Sequence, residues 1–371
     1  MTDILKIVCQ KQALISAVSN VQRAVSGKSS VSVLDGILLR AGGTQVKLAG
    51  YDLELGIITK INADVSQEGQ IVLNARLFGD IVRKLPGDEV ELETDDRFQT
   101  TIRSGESVFS IMGIDAAEYP DLPTVSDGEK IELPQATLKS MIRQTLFAVA
   151  QTDIRPVHTG VQFTVADHQL RLVAVDGSRL AIRCEEVGCD QEMEFVVPGK
   201  TLNELLKLLG DEEETAVLRV GQQHILTEVG EYAVISRLLD GEFLSYQKAI
   251  PPQVTTEIRV NTRTFTEGVE RASLVINDRV KSPLVCRFQD DHITISCTTP
   301  LGSAKDRVVT DMMDGNDEEM GFNSRFLLDA LKNAETDEVR IQLNGAVSPL
   351  KILPVEGESF LFLVLPVRLK A

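Results

Sequence analysis

The chain repeats itself about every 124 residues. The segments 74–86, 198–210 and 323–335 read NARLFGDIVRKLP, PGKTLNELLKLLG and NSRFLLDALKNAE. Arg76, Lys200 and Arg325 lie 124 and 125 residues apart, and so do Arg83, Lys207 and Lys332. Three such periods span 371 residues. A period this long is a whole domain rather than a solenoid turn, so the fold must be built three times over.

A second helical pattern precedes each of these segments. Leu14, Val18, Val21 and Val25 recur at helical spacing, as do Leu138, Ile142 and Val149, and Phe265, Val269 and Ala272. Strand-like stretches lie between them: Val46–Ala49, Leu170–Val175, Ile293–Ser296, Val90–Glu93 and Ala216–Val220. Turn-rich linkers fall near 123–128 and 251–256. The expected fold is α+β: three repeated domains at 1–125, 126–253 and 254–371, each with two helices packed on antiparallel sheets.

The net charge is −17, which speaks against a polyanion partner when taken as an average. Its distribution speaks otherwise. The helical windows 11–23, 74–85, 135–147, 200–209, 261–272 and 323–333 hold thirteen Lys and Arg against five Asp and Glu. The helices are therefore basic and the remainder is strongly acidic. Arg76 with Arg83, Lys200 with Lys207, and Arg325 with Lys332 are seven residues apart, about 20° on a helix face. In this reading Leu77, Phe78, Ile81, Val82 and Leu85 form the opposing apolar arc of the first of these helices, and Leu202, Leu205, Leu206 and Leu209 that of the second. Lys139 with Arg143, and Arg263 with Arg271, flank the stripes of the other helices. Repeated basic faces of this kind suit phosphate contacts that carry no sequence information.

No catalytic constellation emerges. Gly27-Lys28-Ser29 lacks the glycine five residues upstream that a P-loop needs, because Gln22 stands there. Asp311–Gly315 lacks alternating oxygen ligands for calcium. Cys184 and Cys189 have no second pair to complete a zinc site. His158, His168, His224 and His292 are dispersed. No cofactor or metal is expected. Five scattered cysteines, with no leader-like or membrane-spanning stretch, point to a reduced cytoplasmic protein that does not engage a membrane. Tryptophan is absent, which argues against stacking platforms for single strands.

With the three repeats, the string Ala174-Val175-Asp176-Gly177-Ser178-Arg179-Leu180-Ala181 and the tail Val364-Leu365-Pro366-Val367-Arg368-Leu369, the chain resembles the bacterial sliding-clamp family over its whole length. The resemblance implies a non-enzymatic processivity factor for DNA polymerase III. It implies a head-to-tail homodimeric ring with helices inside and sheets outside, around double-stranded DNA. Twelve helices at about 10 Å spacing leave an opening of ~28 Å, whereas six leave only ~10 Å.

The resemblance carries DNA contacts to Lys28, Arg76 and Lys200. The family's aromatic pair after Asp153-Ile154-Arg155 is replaced by Pro156 and Val157. Phe109, Leu274 and Val275 match dimer-interface positions. A partner-peptide pocket matches His158, Val175, Gly177, Ser178, Arg179, Leu180, Leu244, Ala249, Asn323, Phe326, Val347, Leu363, Val364, Leu365, Pro366, Val367 and Arg368. His158, Val175, Ser178 and Leu244 depart from the usual pattern. Implied partners are the polymerase III alpha subunit, other polymerases, the clamp loader, and mismatch-repair and ligase-type proteins that carry short apolar peptides. The alternative is a repeat scaffold that binds peptides or acidic proteins without DNA.

Overall fold

A computed structural model of the chain describes residues 4–27, 31–126, 128–152, 155–211, 213–276 and 282–369. Among these, six α-helices form: α1 (Lys11–Val21), α2 (Ala75–Lys84), α3 (Gln135–Leu146), α4 (Gly199–Leu205), α5 (Thr262–Ser273) and α6 (Ser324–Lys332). Three of them start in the same way. The side chains of Asn74, Asn261 and Asn323 accept hydrogen bonds from the backbone N–H of Leu77, Thr264 and Arg325, at 3.0, 3.0 and 3.1 Å. Such a cap satisfies one of the orphan donors of a first helical turn. It lets each helix begin directly where a strand ends.

The apolar stripes go inward as the spacing requires. Leu14, Val18 and Val21 of α1, and Phe265, Val269 and Ala272 of α5, are almost fully buried. α1 packs on α2, and α5 on α6. Two details differ from the periodic reading. Leu77, expected in the buried arc of α2, is 48% exposed, while Phe78, Ile81 and Val82 fill the core. α4 ends at Leu205, because the N–H groups of Lys207 and Leu208 bond three residues back, to Glu204 and Leu205. This tighter turn advances about 120° per residue rather than 100°, so Lys207 is not a second helical step from Lys200.

The chain packs into two compact units: 1–136 with 203–238, and 137–202 with 239–371. The first holds a twelve-stranded antiparallel sheet system. In it the long strand Leu55–Gln67 pairs with Gln45–Tyr51, with Lys6–Gln10 and with Tyr232–Arg237, so that Thr59 faces Tyr232. The second holds a nine-stranded and a four-stranded sheet, and there Arg179–Glu186 pairs with Phe360–Val364. The sheets thus run on across the repeat boundaries. Strands of the second repeat pair with strands of the first in one unit and with strands of the third in the other.

Candidate partner-binding pocket and helix-borne cations

The second unit builds a site around a tight turn. The Asp176 Oδ1 atom accepts from the N–H groups of Ser178 (3.0 Å) and Arg179 (3.1 Å). Between them Gly177 adopts φ +83°, the left-handed region where a side chain would be strained. The turn delivers Arg179 to the start of its strand, only 6% exposed. Its Nε donates to Asp176 Oδ2 at 2.8 Å, and its Nη1 donates to Asp329 of α6. The guanidinium lies over the Phe326 ring, 4.6 Å from the centroid, and 5.7 Å from that of Phe147, just past α3. Arg179 thus has two carboxylates and two ring faces as partners, an arrangement that suits a planar, permanently charged group.

The C-terminal segment docks beside this turn. Leu365 N–H donates to Ser178 O (2.9 Å), and Val367 N–H donates to Gly321 O (2.8 Å). Pro366 falls between the two donors, where its missing N–H costs nothing. A Cβ on Gly321 would come within 2.6 Å of Leu369 and 2.9 Å of the Val367 carbonyl, so only glycine permits this approach. The segment therefore leaves the nine-stranded sheet at Val364 and touches the four-stranded one at Val367.

The residues matched to the pocket divide into two groups. Val175, Leu180 and Leu363 belong to a buried cluster with Val157, Val173, Ile182, Val196, Phe243 and Tyr246. Val364 is also fully buried, and buried His158 meets Phe243 edge-on at 5.6 Å. These side chains form the support beneath the surface. Leu244, Leu365 and Val367 are 37–39% exposed and remain open to an apolar ligand. Gly177 and Ala249 are exposed, and Ser178, Phe326 and Pro366 are partly so. Asn323 caps α6, Arg368 is exposed, and Val347 stands out on the loop after Glu338–Leu343. The periodic reading missed Asp329 and Phe147. The spacing of Asp176 and Arg179 is visible in sequence, but nothing local links either to residues 150 positions away.

The helix cations also divide. Arg83 pairs with Asp80 (2.8 Å), Arg143 with Glu335, Lys207 with Glu204 (2.7 Å) and Lys332 with Glu270 of α5 (2.6 Å). Arg263 pairs with Glu267, and Arg271 with Asp306. Arg76 and Arg325, one at the start of α2 and one at the start of α6, are exposed and without an ion pair among the described residues. Lys200 is exposed and Lys139 half-buried. Lys28, Asp153 and Ile154 lie outside the described residues.

Phe109 is 38% exposed on the strand Ser107–Met112, an edge of its sheet, beside exposed Val108 and Met112. Leu274 is 83% exposed just past α5, and Val275 is half-buried. None of the helices is long and apolar enough to cross a membrane, among the described residues.

This architecture of three α+β repeats, with a docked C-terminal segment beside an arginine-locked turn, matches known proteins over the whole chain. Three domain models of the DNA polymerase III beta subunit match in tandem: the N-terminal domain over residues 5–123, the central domain over 132–244 and the C-terminal domain over 247–368. The chain belongs to the DNA polymerase III beta subunit family. It is 36% identical to the beta sliding clamp of Halalkalibacterium halodurans and 35% identical to that of Bacillus subtilis, over 98% of this chain and the whole of each relative. The crystal structure of the Bacillus subtilis DNA polymerase sliding clamp superposes with a TM-score of 0.96 at 34% identity, covering 99% of this chain and all of that one. A putative DNA polymerase III beta subunit from Eubacterium rectale superposes at 0.93 with 34% identity, covering 98% and 99%.

Proposed function

We propose that this chain is a processivity factor that holds DNA polymerase on its template as a closed homodimeric ring. The ring retains duplex DNA by topology, so its phosphate contacts need only be weak and solvated, and sliding stays fast. One observation carries the reading: a full-length match to all three clamp domains, in a chain whose Arg76 and Arg325 lie uncompensated on basic helices while the remainder is acidic. The catalytic work belongs to the polymerase and not to this subunit.

The repeats run 1–125, 126–253 and 254–371. Arg76, Lys200 and Arg325, with Lys28, Lys139 and the ion-paired Arg83, Arg143, Lys207 and Lys332, face the duplex. The ring closes where the apolar edge carrying Phe109 in one copy meets Leu274 and Val275 of the next. The open apolar side chains at Leu244, Leu365 and Val367 receive short peptides with apolar anchors. Those peptides belong to the polymerase III alpha subunit, other polymerases, the clamp loader, and mismatch-repair and ligase-type proteins, all in the cytoplasm.

The test is retention on DNA. Loaded by a clamp loader onto nicked circular DNA, the protein stays bound through gel filtration and is released when the circle is cut once. Equal loss from circle and linear DNA would refute the ring.

A further inference from the structure

The first unit carries a cationic row that neither the helices nor the pocket explains. In the strands Gly36–Gly42, Gln45–Tyr51 and Leu55–Gln67, Arg40 faces Lys47 and Lys47 faces Lys60. Neighbouring strands are about 4.8 Å apart, so the three Cα positions fall within about 10 Å. Like charges directly opposite one another destabilise a sheet. Arg40 Nε donates to a neutral partner, Gln70 Oε1, at 3.0 Å. Lys47 and Lys60 make no ion pair among the described residues. Two residues along the same face, Gln45 and Asn62 bond to each other, and Glu68 is engaged by the Gly43 N–H. Burial first, then the charges of Arg40 and Lys60, pulls the Lys47 ammonium below the usual lysine range. A chain of net charge −17 has carboxylates to spare, yet among the described residues none forms an ion pair with this row, although Asp121 lines the cleft beside it.

Beside the row is a cleft. Its floor is Leu38 and Ala49, which share the face with Arg40 and Lys47. Its wall is the segment Tyr119–Leu122, held by the buried Tyr119 hydroxyl, which donates to Ala49 O at 3.4 Å.

We propose that this cleft binds a short acidic segment of a partner protein, extended across the strands, with two carboxylates on Arg40, Lys47 and Lys60 and the intervening apolar side chain, which points the other way, against the wall at Pro120 and Leu122. Carboxylates at i and i+2 of an extended peptide are about 7 Å apart, within the span of the row. The cleft favours a peptide over a nucleic acid on two counts. Pro120 and Leu122, both half-buried, offer apolar surface on the wall that a phosphate backbone cannot use, while Leu38 and Ala49 beneath them are buried. Asp121 lines the same cleft, where its carboxylate can accept a peptide N–H, a donor that a phosphate backbone lacks.

The test uses the full chain and fluorescein-labelled acetyl-Glu-Val-Glu-Val-Glu-amide, followed by fluorescence anisotropy at 50 mM salt. The expected result is saturable binding, weakened at least tenfold in Lys47→Glu/Lys60→Glu and at least tenfold for the peptide with Gln in place of Glu. Binding is unchanged in Leu365→Asp, which separates this cleft from the pocket in the other unit. Equal affinity for the variant and the wild type overturns the proposal, and so does loss in Leu365→Asp. So does a labelled 20-bp duplex that loses affinity in the variant while the peptide does not, or a change of oligomeric mass in the variant without added peptide. Without peptide, Lys47→Gln should melt higher than wild type at low salt, because one of the opposed charges is gone. An equal or lower midpoint would show that the row is not held against repulsion.

Discussion

Arg179 and the pair Arg76 and Arg325 are the same side chain put to opposite uses. Arg179 is buried, with Asp176 and Asp329 as anionic partners and Phe326 and Phe147 on its faces. Arg76 and Arg325 stand exposed, with no carboxylate paired to them among the described residues. A cation whose charge is consumed inside the protein fixes geometry, whereas one left uncompensated remains available to an external anion. The second members of the helix pairs belong with Arg179 in this respect, since Arg83, Lys207 and Lys332 each have an internal carboxylate.

The contrast breaks most visibly at Asp176. Asp176→Ala removes the acceptor of two turn N–H groups and of the Arg179 Nε. Leaving a buried guanidinium short of a partner costs about 3 kcal/mol. Urea denaturation should show that loss, and binding of an apolar clamp-type peptide should fall with it. A change below about 0.5 kcal/mol, the usual range for a surface substitution, would mean that the turn is held by something else.

A smaller effect separates the two kinds of helix cation. Arg76→Glu with Arg325→Glu should weaken DNA association, and each phosphate left without its cation should flatten the salt dependence by about 0.9 in the log–log slope. Arg83→Glu with Lys332→Glu should change the slope less, because those cations already have carboxylates. Equal slopes for the two double variants would erase the distinction.

The smallest effect belongs to an exposed pair between these extremes. The hydrogen bond from Arg271, followed by the Arg307 N–H, holds the Asp306 carboxyl below its usual range. A carboxyl depressed in the folded state adds stability above its unfolded value, near pH 4, and loses it as pH falls through the folded value. Asp306→Asn should therefore melt slightly below wild type at pH 6, and the gap should close below about pH 4. A gap that persists in acid would assign the difference to packing.

Much of the fold is legible in the residues, because burial imposes a period. The stripes Leu14–Val18–Val21 and Phe265–Val269–Ala272 can be satisfied in one way only, on a helix against a sheet. The end of α4 was not legible, since the leucines at 205, 206, 208 and 209 continue the apolar run while the backbone tightens beneath them. The site was half legible. Asp176-Gly177-Ser178-Arg179 reads as a turn with a mechanism: an aspartate that accepts and a glycine that bends. The partners of Arg179 come from α6 and from the end of α3, and no local pattern encodes an approach across 150 residues. The cationic row was invisible for the same reason: Arg40, Lys47 and Lys60 meet only through strand register.

The strand Leu55–Gln67 has a consequence for how the molecule comes into being on the ribosome. Its Thr59 meets Tyr232, and the first unit is completed only by residues 203–238. At about 5–20 residues per second, the emerging first repeat waits roughly ten to thirty seconds with a sheet edge unpaired. Three tandem repeats would suggest three folding events in order, like beads on a string. The register of one strand ties the first to the second, because that edge is paired only once nearly two-thirds of the chain is synthesised.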